Sequence, residues 1–288
     1  MDGTRLGIHL LVWGAGWAER SFDLPRVLAD CRALGFGGVE VPWLEPVPSP
    51  TVRAAAAAVR AAGLWATVST ALPPPACLVD SAGERQTLAV DWLRRAAEAA
   101  ATFGSPVLAG PLLAPVGEFP TGGTRPVDPA APLLAKVAAH AASMGVRVCL
   151  EPLNRFETDT VNTLGQGAAL CSAAGGTLEL LSDTFHQNIE EDDPLAALAQ
   201  YLGVVGHVHL SENHRGPAGS GHIPFSAVLE VLTTGNYGGR IVFEGFNGRV
   251  PALARATCIW RQISPSPEAF AARTAAALLG AAAPFLPY

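Results

Sequence analysis

Between positions 6 and 243 the chain keeps returning to one pattern, a short run of β-branched and apolar residues followed by a longer Ala/Leu/Arg stretch with helical spacing. The strand-like runs fall at 6–12, 38–41, 65–69, 107–109, 147–150, 178–182, 204–210 and 240–243. The helical stretches between them fall at 24–34, 52–62, 89–103, 132–144, 165–174, 195–201 and 226–233. Regular alternation of these two periods specifies βα units around a parallel sheet, and eight strands are enough to close that sheet on itself. Gly35, Gly63 and Gly145 each follow a helical stretch and lead into the next strand, where glycine takes the left-handed cap conformation. The expectation is the α/β class, with a single (β/α)8 barrel occupying 1–288 as one domain.

The 288 residues, 49% of them hydrophobic, bury a large core within one domain of this class. A net charge of −6 gives no electrostatic reason to bind nucleic acid or an anionic membrane. The N-terminus has a single basic residue, Arg5, before a short apolar run interrupted by His9. It resembles neither a leader peptide nor a membrane span, so a cytoplasmic location is expected. Five scattered cysteines with no C-x-x-C pair read as reduced thiols, not as a disulfide framework or a thiolate zinc site. The one lysine, Lys136, lies in a helical stretch away from any strand end, which argues against Schiff-base chemistry.

The last four strands run into polar residues. VCL ends at Glu151, LLS at Asp183, Val208 at His209 and VF at Glu244. In a barrel, residues at the ends of neighbouring strands converge on its C-terminal mouth. Three carboxylates and an imidazole suit a divalent ion of intermediate hardness, Mn2+ first, with Co2+ or Mg2+ as substitutes. Without a cation three buried carboxylates repel one another. Taken singly, each acid reads equally well as a helix N-cap or an ion-pair partner; it is the four in phase that favour a metal centre.

His207 shares a strand face with His209 and reads better as a packed histidine supporting a ligand than as a ligand itself. His140 falls in a helix and reads as structural. His9 either lines the mouth or packs beneath it. His214 and His222 belong to a loop, where solvent exposure is the alternative. Long irregular stretches at 46–50, 72–80, 111–129, 154–163 and 213–224 follow strands and point to a covered pocket.

These strand ends and loops resemble the xylose-isomerase-like sugar isomerase and epimerase superfamily, in its ketose 3-epimerase branch (D-tagatose, D-allulose and L-ribulose 3-epimerases). The resemblance covers nearly the whole chain. It rests on EPLNRFET at 151–158, DTFHQNIEE at 183–191 and HVHLSENHRG at 207–216, with weaker support from GPL at 110–112, GSGHIP at 219–224, EGF at 244–246 and IWR at 259–261. It implies that Glu151, Asp183, His209 and Glu244 bind the metal, and that Glu151 and Glu244 also move the protons. It implies further that Glu157, His186 and Arg215 hold the O1–O2 end of a small ketose. Where some relatives carry an aromatic near the end of the first strand, this chain has His9. His9, Trp13, Leu112 and Phe246 are candidate pocket-lining residues. The family's habit also suggests a homodimer or homotetramer.

The implied reaction removes a weakly acidic proton beside a ketone, so the site must stabilise an enediolate, which a Lewis-acid cation does. Two glutamates on opposite faces then invert the configuration at C3. An aldose–ketose or hydroxypyruvate-type isomerase needs similar ligands, and a lyase acting on inositol-like ketones is a further alternative. A noncatalytic sugar- or metal-binding barrel is the nonenzymatic alternative. An abasic-site endonuclease would need more metal-binding histidines and a basic groove.

Overall fold

The computed structural model describes residues 5–14, 16–80, 83–120, 122–248 and 251–282; position 121 of the expected loop and both chain ends of the expected domain lie outside them. Eight strands, β1 (Leu6–His9), β2 (Gly38–Pro42), β3 (Trp65–Ser69), β4 (Val107–Gly110), β5 (Arg147–Leu150), β6 (Leu178–Asp183), β7 (Val205–Leu210) and β8 (Ile241–Phe243), form a closed barrel in sequence order. Every pairing is parallel, and β8 closes onto β1 through Leu6↔Ile241 and Ile8↔Phe243. Helices α1 (Leu24–Ala33), α2 (Ser49–Ala61), α3 (Gly83–Phe103), α4 (Ala131–Ala142), α5 (Leu164–Ala173), α6 (Thr184–Glu190), α7 (Pro194–Tyr201), α8 (Phe225–Thr234), α9 (Pro251–Ala256) and α10 (Pro267–Ala282) follow the strands. Among the described residues, no helix is long and apolar enough to cross a membrane.

Local chemistry accounts for several boundaries. Asp23 caps α1 through the Arg26 amide, and Thr163 caps α5 in a reciprocal box with Gln166, so both helices begin where a side chain supplies the missing acceptor. β1 is shorter than its apolar run, because the His9 imidazole accepts from the Leu11 amide and turns residues Leu10–Val12 into a 3-10 helix. α3 begins six residues before the expected position 89, since Glu84 to Leu88 continue the helix although they pack little. The core joins barrel interior and helix faces, with Ile8, Leu108, Leu134 and Phe243 fully buried. Cys31, Cys77, Cys149 and Cys171 are buried free thiols, and Cys258 is exposed.

One irregularity positions the site. On β7, Val205 pairs with Leu180 but His207 pairs with Leu181, so Gly206 is an extra residue bulged out of register. A side chain there would collide with Glu179 and Cys149, which explains the glycine. The shift brings His209 opposite Asp183. Without it Val208 would take that position, because a slip of one residue exchanges the two faces of a strand.

Candidate metal centre and sugar pocket

Glu151 and Glu244 each sit one residue past a strand, with their amides continuing the ladder to Gly110 O and Leu210 O, both at 2.9 Å. Asp183 ends β6 and His209 lies one residue before the end of β7. One donor atom from each of these four residues lies within 4.8 Å of every other, and all four residues are buried. His209 Nδ1 is 3.7 Å from Glu244 Oε1, 3.8 Å from Asp183 Oδ2 and 4.0 Å from Glu151 Oε1.

These distances are too long for direct hydrogen bonds. Glu151 Oε1 and His209 Nδ1 are buried without a partner, a costly arrangement that a cation among the four would relieve. Hard carboxylate oxygens and one imidazole nitrogen fit a divalent ion. Asp183 combines both readings of a strand-end acid: Oδ1 caps α6 through the Phe185 amide at 2.7 Å, while Oδ2 faces the centre.

The electrostatics divide the acids. Burial, reinforced by Glu244, pushes the Glu151 carboxyl well above its ordinary range. Burial also raises Glu244, to about 7, against the opposing pull of His209 and Arg215. Asp183 is equally buried, yet Arg215 holds it well below the usual carboxylate range. Burial disfavours an imidazolium at His209, but Glu40 and Glu244 outweigh it and raise that group well above its ordinary value.

Arg215 brings a fixed positive charge to these carboxylates. Its Nη1 donates to Asp183 Oδ2 at 2.7 Å, Glu244 Oε2 at 2.8 Å and Ser211 Oγ at 2.9 Å. Its guanidinium lies 4.0 Å from the ring centroid of Phe185 and 5.0 Å from that of Phe246, a cation–π setting on two sides. The backbone at Arg215 is left-handed, with φ 61°, and is fixed by Glu212 O and the Phe246 amide at 2.9 and 3.0 Å.

A cavity of about 270 Å³ opens onto the cluster, and Glu157, His186 and Arg215 line it together with Glu151, His209 and Glu244. Asn154 Nδ2 bridges Glu157 Oε1 at 2.8 Å and His186 Nδ1 at 2.9 Å, so two of the three substrate candidates share a network and face the cavity as well. The Asn154 amide donates to His186 Nδ1 at 3.0 Å. A neutral imidazole accepts at one nitrogen only, and burial keeps His186 neutral, down to about 4. Its hydrogen is therefore on Nε2, and the 2.9 Å approach of Arg215 Nη2 sets donor against donor.

Of the other pocket candidates, His9 and Phe246 line the cavity, with Leu11, Pro111 and Val116. Trp13 and Leu112 are not among the lining residues; Leu112 is wholly buried in the main core. His207 is buried and bonded to Glu40. His140 lies in α4, while His214 and His222 bond to Ser220 O and Asn188 respectively.

Sequence reasoning missed Glu40. It is completely buried in β2 and meets three groups at 2.6 Å, the Thr67 hydroxyl and the Nε2 atoms of His207 and His209. The available signal was a lone acid between Val39 and Val41 in an otherwise apolar strand. Glu212, also wholly buried, accepts from the Gly219 amide at 2.7 Å and organises the loop that carries Arg215.

The model of a family described as xylose isomerase-like TIM barrel matches residues 28–277. An L-ribulose 3-epimerase from Mesorhizobium japonicum is 35% identical over 266 residues, covering 90% of this chain and 88% of the relative. The chain belongs to this barrel family, in its ketose 3-epimerase branch. A solved L-ribulose 3-epimerase structure superposes with a TM-score of 0.89 at 31% identity, covering 97% of this chain and 94% of the other. A D-allulose 3-epimerase from Methylomonas sp., solved in complex with D-allulose, gives 0.86 at 25% identity over 93% and 94%. The relatives in this branch are isomerase-class enzymes.

Proposed function

We propose that this protein is a divalent-metal-dependent ketose 3-epimerase, one catalytic domain across 1–288, interconverting C3 epimers of free ketohexoses and ketopentoses. Pairs such as D-fructose/D-allulose, D-tagatose/D-sorbose and ribulose/xylulose are within its reach. The observation that carries this reading is the convergence of Glu151 and Glu244 with Asp183 and His209 beneath a sugar-sized cavity. Relatives that are L-ribulose and D-allulose 3-epimerases support it.

Held by Glu151, Asp183, His209 and Glu244, a divalent ion such as Mn2+, or Co2+ or Mg2+ in its place, would supply Lewis-acid stabilisation of negative charge on the sugar's oxygens. Glu157 accepts from sugar hydroxyls, while His186 Nε2–H and the Arg215 guanidinium donate to sugar oxygens, and together they fix the O1–O2 end. One of Glu151 and Glu244 removes the C3 proton, and the other returns a proton to the opposite face. Configuration at C3 inverts with no net gain or loss of protons. Homodimer or homotetramer assembly and a cytoplasmic location complete the reading.

The test is incubation of a ketose panel in heavy water with Mn2+, with and without chelator, followed by product chromatography. Chelator-sensitive formation of the C3 epimer with deuterium at C3 is expected. An aldose product, loss of water from the sugar, or no exchange with any ketose overturns the reading.

A further inference from the structure

We propose that Glu40 is a positioning residue that fixes the tautomer of His209, so that Nδ1 and not Nε2 is the nitrogen presented to a metal ion. The inference rests on the metal-centre reading above. Glu40, His207 and His209 also form a compact trio of potential ligands, and the question is which side of the His209 ring faces the cation.

The contacts answer it. Glu40 Oε1 is 2.6 Å from His209 Nε2, and Glu40 Oε2 is 2.6 Å from both His207 Nε2 and the Thr67 hydroxyl. Two imidazoles and a hydroxyl around one wholly buried carboxyl are satisfied together when each donates to it, because a carboxylate offers acceptors alone. Both imidazoles then carry hydrogen on Nε2. When His209 gives up its second proton to an ion, the nitrogen freed is therefore Nδ1, which faces Glu151, Asp183 and Glu244 and has no partner of its own. The register supports the arrangement: Glu40 lies between His9 on β1 and Thr67 on β3, and from β2 its carboxyl reaches across the barrel interior to His207 and His209 on β7. An ion inside the trio would have to break both 2.6 Å contacts that join its members, whereas an ion in the four-residue cluster breaks neither. A carboxylate on the far nitrogen of a ligating imidazole also makes the ligand more basic and restricts ring rotation.

Glu40→Gln provides the test, since an amide has one acceptor and one donor end and cannot accept from both imidazoles. With folding checked by circular dichroism and thermal melting, Mn2+ affinity measured by calorimetry is expected to fall about 10- to 100-fold. A measurement on the unaltered chain covers the case of a misfolded variant: with Cd2+ as a diamagnetic probe and 15N-labelled histidine, His209 is expected to show Nε2–H and cadmium coupling at Nδ1. Cadmium coupling at Nε2, or unchanged Mn2+ affinity in folded Glu40→Gln, overturns the inference. His209→Gln separates this from the parent reading. If that variant also binds Mn2+ like the unaltered chain, or the unaltered chain binds none, the metal centre itself is wrong; if His209→Gln loses binding and Glu40→Gln does not, only the positioning role fails.

Discussion

The Arg215 guanidinium donates to Asp183 Oδ2 at 2.7 Å from a backbone held in the left-handed region at φ 61°. A charged side chain in a conformation that side chains rarely adopt is the kind of local strain that clusters at functional sites. It is tolerated here because Phe185, Phe246 and the Glu212 carbonyl enclose it on several sides.

On the proposed role of the guanidinium in holding the sugar, removing that side chain should raise KM at least about tenfold with a smaller effect on kcat. In chelator, Arg215→Ala should also lower the melting temperature, because loss of one partner leaves buried carboxylates uncompensated. Arg215→Gly should melt above Arg215→Ala by about 1 kcal/mol of stability, as glycine relaxes the positive φ. Equal melting of the two variants would show that the backbone there carries no strain.

Glu151→Gln and Glu244→Gln keep shape and remove the group proposed to carry the proton. Each should lower kcat about 10²- to 10⁴-fold with melting curves close to the parent. Deuterium uptake at C3 checks the assignment; ordinary exchange in either variant would remove that residue from proton transfer.

Metal affinity should rise with pH. In the apo chain burial holds Glu244 up to about 7 and Glu151 well above its ordinary value, and His209 is raised as well. An ion must displace those protons, so binding weakens as pH falls through about 7 and strengthens above it. Calorimetry in buffers of different ionisation enthalpy should record proton release, with Mn2+ binding at least about tenfold tighter at pH 8 than at pH 6. A flat profile with no proton release contradicts the raised carboxyls.

Arg125 holds the segment carrying Glu157. Its Nε donates to Asp159 Oδ1 at 2.7 Å, its Nη2 to Glu118 O at 3.0 Å and its amide to Asp159 O at 3.0 Å, while Gly117 N donates to Glu157 O at 2.8 Å. Arg125→Ala should raise amide exchange around 117 and 153–161 and increase KM several-fold with kcat nearly unchanged. Unaltered exchange there would separate Arg125 from the pocket.

Gly110 ends β4 at φ 136°, and a Cβ there would lie 2.0 Å from the Thr70 carbonyl oxygen. Gly110→Ala should cost about 3 kcal/mol or more, combining backbone strain with a clash against main chain. Thermal melting measures it.

The barrel was legible because every βα unit carries its own period, and Glu151, Asp183, His209 and Glu244 were legible because each interrupts a hydrophobic run at a strand's end. What the sequence concealed depends on three-dimensional register. Gly206 looks like an ordinary strand glycine until its pairing shows that it shifts His209 into line with Asp183. Glu40 looks like a charge in a short strand until closure brings it to histidines 167 and 169 positions away. Trp13 and Leu112 looked equivalent to His9 and Phe246, but which side of a loop faces a cavity is not encoded in a periodic pattern.

The seam between β1 and β8 joins the two ends of the polypeptide's fold, with Ile8 beside Phe243, and His9 and Glu244 follow directly on either side of it, 3.8 Å apart. Chain termination before β8 would therefore leave a nascent polypeptide with most of its hydrophobic interior but no complete cation cage. Acquisition of the ion in a stopped-flow refolding experiment would time the moment the last staves of the cylinder meet.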